Sequence, residues 1–299
     1  MDNTENTGGT DERDQRMSYK TMLVEVGHDA GCRDRLRAAA LLAARFGAHL
    51  TGLTATGVRL GAPRGGPDGT ARLAELERDR LRSHAVAFGE LMRDMVAEAG
   101  VDIGCSHEVV EDEEGAAFIR KGRYADLVLL AQRPRTGMVP ALVTDLPEQV
   151  LLATGRPAIL VPQGPPLLHG GHVAIAWDGG REAARAVADA LPMLCHARHV
   201  SVIGNGDPTD PHDGDVDRHG GSATGLRGWL LRHGIVAAQL GLPAGREPVA
   251  DRILSVARQA GADMIVAGCY GHSRVRELVI GGTTRALLQR SPLPVLMAH

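Results

Sequence analysis

Two stretches of this 299-residue chain recur at one fixed spacing. ADLVLLAQ, residues 125–132, is matched by ADMIVAGC, residues 262–269, and PAILV, residues 157–161, by PVLMA, residues 294–298; both pairs lie 137 positions apart and align without a gap. Upstream, RDRLRAAALLAARFGAHLTGLTA (33–55) resembles REAARAVADALPMLCHARHVSVIG (181–204), each an Ala- and Arg-rich helical pattern running into a β-branched apolar segment. The chain therefore reads as one domain written twice. Its length agrees, since it exceeds the usual size of a single core. The copies are assigned to residues 18–163 and 172–299, joined by a linker at 164–171 in the Pro- and Gly-rich QGPPLLHGG. The polar, acidic start MDNTENTGGTDERDQRM, residues 1–17, reads as a disordered arm with no apolar core of a secretory signal.

Within each copy, short apolar runs alternate with long amphipathic stretches, the pattern of βα units and a parallel sheet. Strands are expected near Met22–Val26, His49–Thr54, Gly104–Val109, Leu127–Ala131 and Ala158–Val161, then near Val173–Trp177, Val200–Ile203, Val236–Leu240, Met264–Ala267 and Val295–Met297. Residues 72–99 carry Leu73, Leu76, Leu81, Phe88, Leu91, Met92, Met95 and Val96 at mostly helical spacing, ending at Gly100. Pro248 and Gly261 bracket another helix, with Ile253, Val256, Ala257 and Ala260 facing in. The expected fold is α/β: two tandem, doubly wound, open parallel five-stranded sheets of Rossmann-like type.

Composition excludes several partners. A net charge of −3 and only 3% aromatic residues argue against a nucleic-acid or anionic-membrane surface. No run of about 18 apolar residues occurs, so no membrane span is expected. Cys32, Cys105, Cys195 and Cys269 are scattered without CxxC spacing, which reads as free thiols in a reducing compartment, hence the cytoplasm. His212, Asp213, Asp215, Asp217 and His219 crowd one segment, but their spacing matches no defined metal site and the stretch reads as an acidic loop.

The chemistry is concentrated in GCYGHSRVRELVIGGTT, residues 268–284. It follows the fourth strand of the second copy directly, and in an open parallel sheet ligands settle at the carboxyl ends of strands where the winding reverses. Gly268 and Gly271 permit a tight turn and close backbone approach; Gly281, Gly282, Thr283 and Thr284 open a helix carrying Ala286, Leu287 and Leu288. Bare amides at a helix N-terminus, with its positive dipole end, make an anion site. His272, Arg274, Arg276 and Arg285 add positive charge nearby. Glycines also mark turns with no ligand, and the arginines equally suit a solvated face. His272 and Tyr270 line either the pocket or its rim, and Cys269 is a redox-sensitive thiol or, more commonly for cysteine, a small buried hydrophobe.

The pattern G-x2-G-x9-G followed closely by Thr, placed after ADMIVAG and before ALLQRSPLPVLM, resembles the universal stress protein family, as a tandem member whose copies span about 20 to 299. The resemblance implies an adenine-nucleotide pocket holding ATP or a related nucleotide, with an Asp at the end of the first strand. Asp178 in AIAWDGG takes that place, and it is equally read as a cap of a helix over 179–190. The binding set carried over is Asp178, Ile203, Gly268, Gly271, His272, Arg274, Gly281, Gly282, Thr283 and Thr284. If the strand order is the family's, Asp178 and Gly268 flank one crevice. The family pairs domains through their last strands, which implies an intrachain pseudo-dimer through Ala158–Val161 and Val295–Met297, with a homodimer of chains as a further step.

Two departures bear on binding. Gly282 stands where the family has Ser or Thr, which loses a hydroxyl but keeps an amide. In the first copy, Ala131, Pro134, Thr144 and Asp145 align with Gly268, Gly271, Gly281 and Gly282, and Gly27 stands about where the second copy has Asp178. Pro134 has no amide to donate and Asp145 sets a negative charge against a phosphate. The first copy is therefore expected to hold no nucleotide. No GxSxG, HExxH or GxxxxGK[ST] signature assigns a reaction. The function expected is a cytoplasmic stress-response protein with a nucleotide as regulatory ligand; slow hydrolysis or self-phosphorylation at Thr283 or Thr284 is compatible, and an enzyme acting on a small molecule in the same crevice is a weaker reading. The alternative of another class is a nucleotide-independent scaffold with vestigial pockets.

Overall fold

The computed structural model describes residues 18–56, 68–133, 145–164, 170–204, 222–270 and 282–299. The N-terminal arm, the middle of the linker, the His- and Asp-rich loop, Pro134, Thr144, and Gly271, His272, Arg274, Arg276 and Gly281 lie outside them. The first half runs β1 (Thr21–Glu25), α1 (Cys32–Phe46), β2 (His49–Ala55), α2 (Asp68–Glu98), β3 (Cys105–Val110), α3 (Glu114–Gly122), β4 (Leu127–Ala131), α4 (Leu146–Ala153) and β5 (Ala158–Val161). The second runs β6 (His172–Trp177), α5 (Arg181–Asp189), α6 (Leu191–His196), β7 (His199–Gly204), α7 (Ala223–Arg232), β8 (Ala237–Gly241), α8 (Val249–Gln259), β9 (Met264–Gly268), α9 (Gly282–Arg290) and β10 (Val295–Ala298).

The strand order is β3-β2-β1-β4-β5-β10-β9-β6-β7-β8, so the two expected sheets are one ten-stranded sheet. Pairing is parallel within each half and antiparallel only where β5 meets β10, with Val295 opposite Leu160, Leu296 opposite Ile159 and Met297 opposite Ala158. The reason is burial. AILV and VLMA are apolar at every position and all eight residues are buried, so either strand left at an edge would offer a sticky template. Their pairing removes both edges at once.

Each half is doubly wound. Residues of α1, α2, α5, α6 and α7 build a core on one face, and residues of α3, α4, α8 and α9 build the other. Both cores contain side chains from both halves, so the apolar interior is continuous across the junction. The winding reverses between β1 and β4 and between β6 and β9, which are paired neighbours. The repeated Ala-Asp dipeptide explains its own recurrence here. Asp126 Oδ2 accepts the N–H of Lys20 at 2.8 Å and of Thr21 at 3.0 Å, and Asp263 Oδ2 accepts those of Gly171 at 2.8 Å and His172 at 3.3 Å. One carboxylate per half thus registers the start of the first strand against the fourth.

Some elements differ from expectation. The long helix begins at Asp68, and Leu76, placed at core spacing, is 62% exposed, whereas Phe88, Met92, Met95 and Val96 are buried. The helix expected over 179–190 is Arg181–Asp189, and the chain restarts as α6 after Ala190. Pro192 in the first turn of α6 has no N–H to continue the earlier helix, and a first turn is where proline fits. Among the described residues no helix is long and apolar enough to cross a membrane.

Candidate functional site

The second-half switch point lies at the carboxyl ends of β6 and β9, whose register closes with Ala176 opposite Ala267. Asp178 follows β6 and is exposed; its Oδ1 accepts the Gly180 N–H at 2.8 Å. Gly180, not Asp178, is the N-cap residue of α5 and makes no side-chain cap. Asp178 therefore shapes the turn entering the helix from two residues upstream, a turn that Gly179 completes at φ +75°. Ile203 is buried in β7, facing the core that holds α8 and α9.

Gly268 ends β9 against the first turn of α5. A Cβ there would stand 2.4 Å from Ala183 N and 2.5 Å from the Glu182 carbonyl carbon, so close strand-to-helix approach by itself demands glycine. Cys269 is fully buried, its N–H bonded to the Ala298 carbonyl at 3.0 Å. Tyr270 then turns the chain at φ 59°, alone among described non-glycine residues in adopting a positive value. Its N–H donates to Thr284 Oγ1 at 3.3 Å, and its hydroxyl lies beside the Glu148 carboxylate on α4 of the first half. Burial, and then the Glu148 carboxylate, push the phenol far above its usual range, so it stays a donor. Gly282 opens α9, is exposed, and among the described residues has nothing within 4 Å of where a Cβ would stand. Thr283 and Thr284 are half-buried. Arg285, expected to add charge to the anion site, lies 3.8 Å by Nε from Glu148 Oε1.

The first-half crevice is built from other chemistry. A cavity of about 320 Å³ is lined by Glu25, His28, Glu114, Arg133 and Gln163 among others. Glu25 is buried at the end of β1; its Oε2 accepts the Ala131 N–H at 2.7 Å and its Oε1 pairs with Arg133 Nη2 at 2.6 Å. Arg133 also donates to both oxygens of Glu114, at 3.0 and 2.8 Å. By strand register Gly27 occupies the place of Asp178, but measured from the helix the counterpart is Asp29, which accepts the N–H of the cap residue Gly31 at 3.1 Å. Arg35, almost wholly buried, grips Asp29 through two hydrogen bonds of 2.9 and 2.7 Å and donates Nε to the Glu25 carbonyl. Burial pushes the Asp29 carboxyl up, but the Arg35 hydrogen bond and charge outweigh it and hold the group below the usual carboxylate range. The residue at the matching helical position of α5 is Ala184. Asp145 caps α4, its Oδ1 accepting the Glu148 N–H at 3.2 Å.

A sequence model of the universal stress protein family matches residues 18–162 and 244–299, more than half of the chain. The chain belongs to the universal stress protein family. Its fold resembles that of a universal stress protein from Archaeoglobus fulgidus at a TM-score of 0.66 and 15% identity, covering 93% of this chain and 97% of that one. A putative universal stress protein from Pseudomonas aeruginosa UCBPP-PA14 gives 0.55 and 16%, with 94% of both chains covered. A functionally unknown protein from Pseudomonas aeruginosa PAO1 gives 0.56 and 16%, covering 94% of this chain and 93% of that one. No curated protein matches the sequence.

Within this member of the universal stress protein family, Asp178, Gly268, Gly282, Thr283 and Thr284 are the described candidates at the second switch point, whereas Ile203 is core. Asp29, Arg35, Glu25, Glu114 and Arg133 were not singled out by motif. For Glu25, Glu114 and Arg133 the signal is charge pairing across 19 and 108 positions, which no local pattern carries, whereas Asp29 and Arg35 pair across six. Arg35 alone left a trace, as a charged residue on the apolar face of α1.

Proposed function

We propose that the second-half crevice binds ATP or a related adenine nucleotide as a regulatory ligand of a cytoplasmic stress-response protein, and that the first half binds none. The carrying observation is the contrast between two equivalent helices. α4 and α9 stand 137 positions apart, and their N-termini are Asp145 and Gly282. In α4 the chain supplies its own anion to the terminal amides. In α9 the aligned residue is Gly282, which has no side chain to do so, and among the described residues nothing stands within 4 Å of where its Cβ would be. Helix N-terminal amides and the dipole's positive end favour an anion by up to about 2 kcal/mol, and each charge-assisted hydrogen bond adds about 1.5 to 3 kcal/mol. An external phosphate has something to gain at α9 that α4 already has.

Family membership supports the reading, as does exposed Asp178 beside the same crevice; its first-half counterpart, Asp29, is consumed by Arg35. Titration calorimetry with ATP on the full chain tests it. One site per chain is expected, and Gly282→Asp, which places in the first turn of α9 the negative charge that α4 carries at its own N-terminus, abolishes the heat while leaving the unliganded melting temperature unchanged or higher. Two sites per chain, or unchanged binding in G282D, overturns the assignment.

One observation favours the nucleotide-independent scaffold: Gly268 is fully accounted for by its contact with α5, so that glycine needs no ligand to explain it. On this second reading ATP produces neither heat nor a thermal shift at millimolar concentration.

A further inference from the structure

Helix α9, whose N-terminus frames the proposed anion site, is gripped at both ends by side chains of the other half. At its C-terminal end Gln132, buried just after β4, donates Nε2 to the carbonyls of Ser291 at 2.9 Å and Leu287 at 3.4 Å. Leu287 lies in the last turn of α9, where its carbonyl also takes the Ser291 N–H at 3.4 Å, and Ser291 is the first residue after the helix. At its N-terminal end Glu148, buried on α4, faces both Arg285 of the first turn and the hydroxyl of Tyr270. Tyr270 in turn donates its N–H to Thr284 on α9.

Tyr270 is the link that carries strain. A tyrosine at positive φ costs free energy that glycine would not, and such residues persist only where their surroundings over-determine them. Here both determinants are visible, Thr284 on the backbone and Glu148 on the side chain. The Gln132 grip has no counterpart at the aligned position, since Gln132 and Arg133 align with Cys269 and Tyr270 and the Cys269 side chain has no amide. At the end of α4 the second half supplies Arg185 instead, whose Nη2 donates to the Gly155 carbonyl at 3.4 Å.

We propose that Glu148 and Gln132 are positioning residues for the second-half crevice, holding α9 and Tyr270 in the geometry that receives the ligand, so that the first half is part of the second half's site. The affinity arm of this inference rests on the nucleotide reading; the geometric arm does not.

The test uses the full chain with Glu148→Leu, which removes the acceptor at similar size, and Glu148→Gln, which keeps an acceptor for the Tyr270 hydroxyl. Without ligand, hydrogen exchange at the amide of position 270 is expected to quicken about tenfold in E148L and to stay within about twofold of the parent in E148Q. With ATP as probe, the dissociation constant is expected to rise about tenfold in E148L, while E148Q binds at least as tightly because Arg285 loses its carboxylate. Should E148L fail to fold, Tyr270→Phe removes only the hydroxyl and is expected to reproduce both changes. Undisturbed exchange at position 270, or faster exchange with unchanged ATP affinity, overturns the brace. If the parent chain takes up no ATP, the nucleotide reading fails and the exchange measurement still decides the geometric arm.

Discussion

Gly282 and Gly268 are fourteen positions apart, yet their reasons for being glycine are opposite. At Gly282 a side chain would meet none of the described residues within 4 Å; at Gly268 it would meet backbone. Backbone cannot rotate aside as a side chain does, so Gly268→Ala forces β9 and α5 apart. Overpacking of a filled interior costs about 1 to 3 kcal/mol. The expected outcome is an unfolding free energy from urea titration lowered by that amount, with the loss present before any ligand is added. An unchanged midpoint means that α5 does not press on the strand end as described. The sequence made both glycines conspicuous but not their reasons, because a glycine that admits a ligand and one that admits a neighbouring helix are spelled alike. Asp145 was easier to read. Its charge in the aligned position announced the asymmetry, and only its hydrogen bond to Glu148 N–H was hidden.

At the scale of elements, the strands stood out because apolar β-branched runs bounded by glycine and proline announce themselves locally, and all ten strands are where the pattern put them to within a residue or two. What local pattern cannot hold is a partner some fifty positions away. His107 on β3 is such a case. Thr54 on β2 spends its hydroxyl proton on the Val26 carbonyl at 3.1 Å, so at 2.9 Å it accepts from His107 Nε2–H, which fixes the neutral tautomer. The other ring nitrogen, Nδ1, faces Gly89 of α2, standing 3.0 Å from where a Cβ would be. Burial, and then Arg93, lower the ring's affinity for a proton below its usual value near 6.5. A base whose folded pKa is depressed favours the fold in its neutral form. Its contribution is present above the unfolded pKa and is lost as pH falls from about 6.5 toward the folded value. The urea midpoint of the parent chain is therefore expected to fall between pH 7 and pH 5 more steeply than that of His107→Gln, whose amide keeps the bond to Thr54 without titrating. Parallel slopes for the two proteins would remove His107 from the account.

At the scale of the whole molecule, the antiparallel seam turns a duplicated domain into one body. Ile159 and Leu296 face each other across it, both fully buried, within a core that also holds α1 and α5. Two domains joined only by a linker unfold separately; two that share a sheet and both cores are expected to unfold together. The distribution of tryptophan makes this measurable, since Trp177 and Trp229 are the chain's only two and both belong to the second half. Ile159→Ala truncates a first-half side chain, and burial of that kind is worth about 2 to 5 kcal/mol. If the seam couples the halves, the tryptophan fluorescence midpoint in urea moves with the substitution and coincides with the midpoint from far-ultraviolet circular dichroism. A fluorescence midpoint that stays in place while the dichroism splits into two steps would mean that the sheet is continuous in geometry but not in free energy. The first half would then be unable to brace α9 in the way its contacts suggest.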